Sequence, residues 1–185
     1  DCQWLQRLHS YGLLSASFRP SEQVIVLRAY LRQRQMLLRY ASMHIQHIQK
    51  ALELMNVKLS EVVSSVVGVT GLAIVRAVIS GERDTQVLAN HRDGHCKKTH
   101  AEIARALQGN WREEHLFALR QAVELYDFYR KQMSECDEQL QLYLRQLEDR
   151  SQGRPQPPRT RRHTRKANEP VFDLSAALYR MAGVD

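Results

Sequence analysis

PSEQVIVLRAYLRQRQMLLRYASMHIQHIQKALELMNVK, residues 20–58, contains no glycine and, after Pro20, no residue that breaks a helix. Apolar side chains return every seven residues at Val24, Leu31, Leu38, Ile45 and Leu52, and again at Leu59 just beyond. Leu27, Ala41, Ile48 and Met55 form the companion register, which Arg34 alone interrupts. Five heptads with one polar intruder predict a long amphipathic helix of the coiled-coil kind.

A second uninterrupted stretch follows, with Asn110 as the expected N-cap and Glu113 three residues on, running to about Asp149. Leu119, Tyr126, Met133, Leu140 and Leu147 share one register; Leu116, Val123, Arg130, Asp137 and Leu144 share the other. An antiparallel pairing of the two helices is open to several registers seven residues apart. In the one where partner numbers total 171, Arg34 stands opposite Asp137, Ala41 opposite Arg130, Leu38 opposite Met133 and Ile45 opposite Tyr126. A buried polar pair of that kind costs stability but fixes register.

Between the rods, residues 60–109 read as short helices. Ser60 precedes Glu61; Thr70 or Gly71 opens Leu72–Ser80, stopped by Gly81; Asp84 caps a segment to about His91; Thr99 and Glu102 form a capping box. The predicted fold is all-α: a long antiparallel coiled-coil hairpin (20–149) with a helical cap (60–109). A flexible basic linker (150–170) and a short helix, capped by Asp173 and ended by Gly183, follow it.

Composition agrees. At 185 residues with 43% apolar side chains the chain is able to bury a core, and only 8 Gly and 5 Pro occur. Three widely spaced cysteines and the lack of a long apolar run point to a reducing cytoplasm, with no membrane partner. The net charge is +7, and residues 150–168 alone carry seven cations and no acid. Such a block attracts polyanions by counterion release, or serves as a solvated linker. Residues 1–50 add Arg32 and Arg39 among Tyr30, Arg34, Tyr40, His44 and His47, a basic and aromatic helix suited to nucleic acid. A solvated helix face explains the same residues.

Motifs for chemistry are sparse. His91, His95, Cys96 and His100 are zinc-ligand types at a spacing that matches no common finger, so a basic loop is the simpler reading. Gly68-Val69-Thr70-Gly71 is similar to the glycine turn of helix-hairpin-helix modules, but its glycines are three apart rather than two, which favours a tight turn between buried helices. Nucleotide-binding glycine loops, Ser–His–Asp sets and CxxC pairs do not occur.

Asp1-Cys2-Gln3-Trp4-Leu5, Leu8-His9-Ser10-Tyr11-Gly12-Leu13-Leu14 and Phe18-Arg19-Pro20 resemble the last acidic motif of DEDD-type bacterial insertion-sequence transposases, the IS-one-ten family of bridge-RNA-guided serine recombinases. The resemblance continues through His44–Leu52, Gly68–Gly71, Ala77–Asp84 and Glu114–Gln121. It ends in Asp173-Leu174, Ala177–Arg180 and Gly183–Asp185, which resemble the lead-in to that family's C-terminal domain. It implies that 1–19 closes a RuvC-like nuclease domain and that 171–185 opens the serine domain. Asp1 would be the last acidic catalytic residue and a Mg²⁺ ligand, with the other acids before it and the serine after Asp185. It further implies DNA, a structured guide RNA and sister subunits as partners, a nucleoid-associated location, and Mg²⁺ in the intact parent protein. The chain is accordingly expected to be a fragment that needs no cofactor itself, and to bind and assemble rather than cut. Arg154, Arg159, Arg161, Arg162, Arg165 and Lys166, with Arg32 and Arg39, are the expected nucleic-acid contacts. The alternative is a helical oligomerisation module without a nucleic-acid role.

Overall fold

A computed structural model describes residues 1–14, 20–154 and 168–183. In chain order the helices are α1 (Cys2–Ser10), α2 (Glu22–Leu54), α3 (Leu59–Val62), α4 (Val69–Ile79), α5 (Thr85–Ala89), α6 (His100–Ala106), α7 (Glu113–Gln146) and α8 (Leu174–Ala182). No strand occurs among the described residues, so the all-α expectation holds for them.

α2 and α7 lie side by side and antiparallel. Arg34 meets Asp137 midway, the Tyr143 hydroxyl donates to the Gln23 carbonyl at one end (3.4 Å), and the Asn110 N–H donates to the Met55 carbonyl at the other (2.9 Å). At 33 and 34 residues, each rod is about 50 Å long. α2 stops four residues before the expected Lys58, because Asn56 takes a left-handed conformation (φ 58°). The Asn56 N–H then reaches the Glu53 carbonyl and the Val57 N–H the Leu52 carbonyl, which satisfies two carbonyls that a helix end leaves open. α7 likewise starts later than Asn110 suggests. Arg112 sits at its N-cap, where its guanidinium has no acceptor with which to cap the helix, and the Asn110 N–H that a capping box would give to Glu113 goes to Met55 instead.

The two heptad registers of α2 are not equivalent. Leu27, Arg34, Ala41, Ile48 and Met55 are buried; Val24, Leu38 and Ile45 are half-buried, and Leu31 is exposed. One helix facing one partner buries a narrow stripe, and the second register is covered only where a further layer arrives. That layer is the cap, which also buries Ala51 and Leu52 at the far end of α2.

The cap folds over the end of the hairpin where α2 leaves and α7 returns. Leu59, Ile74, Val75, Leu88, Ile103 and Leu107 are wholly buried there, in one cluster with Ile48, Met55 and Leu119. Thr99 and Glu102 make the expected capping box, and the Asp84 carboxylate accepts the Gln86 N–H (2.8 Å). Glu102, bonded first by the Thr99 N–H and then by Lys98, has its carboxyl lowered to about 2. An Arg76 Nη donates to both Asp127 oxygens (2.9 Å each) and ties α4 to α7.

The open end is closed differently. Leu27, Leu140, Leu144 and Leu147 form a small cluster on which Phe172, Leu174, Ala177 and Met181 pack. α8, the helix expected to lead into another domain, thus lies against the hairpin. It is fastened by Arg180 Nη donating to the Leu144 carbonyl (2.8 Å) and by the Arg150 N–H donating to the Arg180 carbonyl (2.8 Å). Gly183 adopts φ 75°, and a Cβ there would come within 2.7 Å of the Arg150 carbonyl oxygen. α1 buries none of its residues, and leaves Trp4 and Leu5 exposed.

Candidate nucleic-acid interface

Residues 23–52 of α2 contain no aspartate or glutamate, so every side chain charged at neutral pH on that length of helix is a cation. Helical spacing sorts these residues by face. Arg34 falls on the seam with α7, whereas Arg28, Arg32, Arg39 and Lys50 fall on the opposite side, all exposed. Arg28, Arg32 and Arg39, with Leu31, Gln35 and Met36, line one shallow depression in the surface. Aliphatic carbons beside guanidinium groups suit a polyanion whose sugars and bases carry apolar faces. Lys50 approaches Glu53 at 3.9 Å, an exposed pair of little worth.

Arg34 itself is unavailable. Its Nε donates to Asp137 Oδ1 (2.5 Å) and an Nη to Oδ2 (3.3 Å), and the same Nη reaches the Asn168 carbonyl (3.0 Å). This is the opposition expected in the 171 register. Ala41 is buried as its counterpart Arg130 runs out to the exposed side. The bond to Asn168 has a topological consequence. With the Arg150–Arg180 bond, which joins the residues after α7 to α8, it ties the chain that follows the Arg-rich stretch back to the hairpin.

The aromatic members of the expected basic face are mostly used internally. Tyr30 tilts against Tyr143 (centroids 6.1 Å), Tyr40 against Tyr129 (5.4 Å), and His44 stacks on Tyr129 (5.5 Å, 15° between planes). His44 Nδ1 is buried without a hydrogen-bond partner. Burial, and then the charge of neighbouring His47, push the His44 pKa below its ordinary value. The shift favours the uncharged imidazole, and the ring packs between His47 and Tyr129. Cys136 donates its thiol to the Tyr30 carbonyl (3.4 Å), and burial, followed by the charge of Asp137, raises its pKa.

Of the residues expected to touch nucleic acid, Arg32, Arg39 and Arg154 are exposed as required. Arg159, Arg161, Arg162, Arg165 and Lys166 lie outside the described residues, as do Phe18, Arg19, Val184 and Asp185. Arg28 and Lys50 complete the ridge, and sequence reasoning misses them. Their signal is the spacing Arg28, Arg32, Arg39, which becomes legible only when the buried register is known.

Asp1 stands exposed at the N-cap of α1. One carboxylate does not make a magnesium site, and among the described residues no three His, Cys, Asp or Glu side chains are grouped to hold a metal. The residues present therefore support no step through Mg²⁺. Three of the four zinc-type side chains take separate partners. His95 Nδ1 pairs with Asp93 (2.9 Å), His100 Nε2 with Asn90 Oδ1 (2.9 Å), and Cys96 Sγ with the Val62 carbonyl (3.8 Å).

The glycine turn is a close backbone crossing. A Cβ on Gly71 would sit 2.5 Å from the Val66 carbonyl oxygen and 2.6 Å from that of Ser65, so only glycine fits. Beside it the start of α4, with His95, Lys97 and Lys98, lines a cavity of about 500 Å³ that also contains Glu61 and Asp93.

Among the described residues no helix is long and apolar enough to cross a membrane. No family model matches the chain, and neither does any curated protein or solved structure.

Proposed function

We propose that this chain is the nucleic-acid-gripping and subunit-joining region of an insertion-sequence transposase of the DEDD type, in which α2 and α7 act as an antiparallel coiled coil. The observation that carries the nucleic-acid part is the ridge of Arg28, Arg32, Arg39 and Lys50, on a helix without a carboxylate between residues 23 and 52. The Arg154–Lys166 stretch adds to it. Cation clusters of this density bind phosphates chiefly by releasing counterions, so the grip is sequence-tolerant and strongly salt-dependent. DNA and a structured guide RNA are the partners, and Asp1 contributes to a Mg²⁺ centre only in company with acids from elsewhere. Target choice and cutting belong to other parts of the assembly. A helical oligomerisation module without a nucleic-acid role is the second reading, favoured by the exposed Phe117 and Phe128 on α7.

The test is binding of the chain to a structured RNA and to duplex DNA over a salt series. It is repeated with Arg28, Arg32 and Arg39 changed to Gln, and with Arg159, Arg161, Arg162 and Arg165 changed to Gln. Each set is expected to weaken binding to both nucleic acids and to flatten the salt slope on B-DNA by about 0.9 for each phosphate that is no longer neutralised. Binding that is absent, or indifferent to salt and to both sets, overturns the nucleic-acid reading and leaves the oligomerisation module.

A further inference from the structure

A strip of aromatic rings crosses one flank of the hairpin, over the groove between α2 and α7. Tyr40 and His44 of α2 both lie on Tyr129 of α7 (centroids 5.4 and 5.5 Å). His47 stands edge-on to His44 (5.4 Å), and Phe128 edge-on to Tyr129 (5.5 Å). The inner rings are spent on packing, but the border is open: Tyr40 is 41% and Phe128 53% exposed, and His47 is exposed as well. Met36 and Met43, one helical turn from Tyr40 and His47 respectively, are also exposed and extend this surface along α2. Met36 at the same time lines the depression of Arg28, Arg32 and Arg39, so the cation row and the ring strip adjoin.

We infer that this surface holds an unpaired strand of nucleic acid, with its phosphates along Arg28, Arg32, Arg39 and Lys50 and its bases turned across the methionines onto Tyr40, His47 and Phe128. This names the form of nucleic acid that the ridge takes, and it rests on the reading proposed above. In a duplex the base faces are stacked on one another and only their edges reach the grooves, so a protein ring has no face to meet. An unpaired base offers its face, and stacking on a ring tolerates any sequence.

The charges orient the strand. α2 has no carboxylate between residues 23 and 52, whereas α7 carries Glu124 one turn before Phe128 and Glu135 two turns after it, with Lys131 drawn to Glu135 (3.9 Å). Phosphates are therefore attracted to the α2 side, and the uncharged bases suit the α7 side. The row from Arg28 to Lys50 is about 33 Å long, room for about ten nucleotides at about 3.4 Å per phosphate of a stacked strand. A strand engages the cations and the rings together, whereas an apolar partner would cover the rings and leave the guanidinium row beside them without a counter-charge.

The test uses the whole chain and a mixed-sequence DNA strand of about sixteen nucleotides that does not pair with itself, offered alone and annealed to its complement. Phe128→Ala and Tyr40→Ala are each expected to weaken binding of the single strand by at least about fivefold, while binding of the duplex changes by less than about twofold. Phe117→Ala, about 16 Å away along α7 and off the strip, moves neither. Phe128→Trp keeps the affinity, and its added fluorescence, read against the parent chain, is quenched by the single strand and not by the duplex. Phe128 is exposed, so its variants should melt as the parent does; should Tyr40→Ala lose stability, because Tyr40 packs on Tyr129, the two Phe128 variants decide. Ring changes that weaken strand and duplex alike, or weaken neither, or quenching of Phe128→Trp by both forms, overturn the inference and leave the nucleic-acid reading standing. A parent chain that binds neither form overturns both, and the change of Arg28, Arg32 and Arg39 to Gln, which weakens both forms, reports on the nucleic-acid reading alone.

Discussion

The two ends of the hairpin are closed by different means. At the cap end, Ile48, Met55, Leu59, Ile74, Leu88, Ile103, Leu107 and Leu119 are all buried within 2% exposure, and four short helices seal them. At the open end four leucines make a small cluster that relies on α8, a helix of 9 residues, for its cover. Between the ends lies Arg34 with Asp137. Apolar burial contributes stability at every contact without choosing among registers seven residues apart. An ion pair contributes little net stability, yet penalises every register but one. The cap end is thus built for strength, and the middle for alignment. The open end is the region free to loosen first, because local opening follows the density of buried apolar contacts.

The sharpest way to break the contrast is Asp137→Ala. It strands a guanidinium in a seam where the Arg34 side chain is 10% exposed, and a cost of about 3–5 kcal/mol is expected in urea unfolding. Replacing both partners by Met and Leu should recover most of that stability. If the pair fixes register, the double variant nonetheless gives broadened or doubled amide signals from α2 and α7. A single sharp set of signals would mean that the apolar pattern alone chooses the register.

A smaller effect is expected from Asp173→Ala, which removes the bond from the Ala176 N–H to the Asp173 carboxylate (3.1 Å) at the start of α8. The loss is about 1 kcal/mol. Hydrogen exchange should quicken at α8, and the amides around Leu140–Leu147 should follow, while those of Ile74 and Ile103 keep their protection. Equal acceleration at both ends would show the hairpin to be one cooperative unit.

The mildest effect concerns pH. Because the pKa of His44 is lower folded than unfolded, the unfolded chain takes up the proton more readily. The contribution of His44 is then fully present above the ordinary histidine value of about 6.5 and is lost as pH falls through that value toward the lowered one. Chemical unfolding midpoints compared at about pH 8 and about pH 5 should fall less in His44→Gln than in the parent chain. An unchanged pH difference would remove His44 from the account of the seam.

Much of this is legible in the amino-acid chain. The two rods follow from uninterrupted heptads, and the caps at Asp84, Thr99 and Asp173 from short local hydrogen bonds that involve neighbours only. The opposition of Arg34 and Asp137 is available as one register among several. Asn110 misleads because a capping pattern competes with the rest of the fold. Here the turn between cap and rod spends the Asn110 N–H on Met55, and α7 begins two residues later than that cap implies.

Sequence by itself determined that the chain is helical, where its rods run, and that its cations gather in α2 and in residues 150–168. Only the tertiary structure decided which α2 register is buried, and hence that Arg34 is locked in the seam while Arg32, two residues away, faces solvent. It also decided that α8 turns back to cover the open end. Heptad spacing says that two faces exist, but the choice between them is made by the partner and the cap, which lie far away along the chain. A side chain's availability to a ligand is set by that choice.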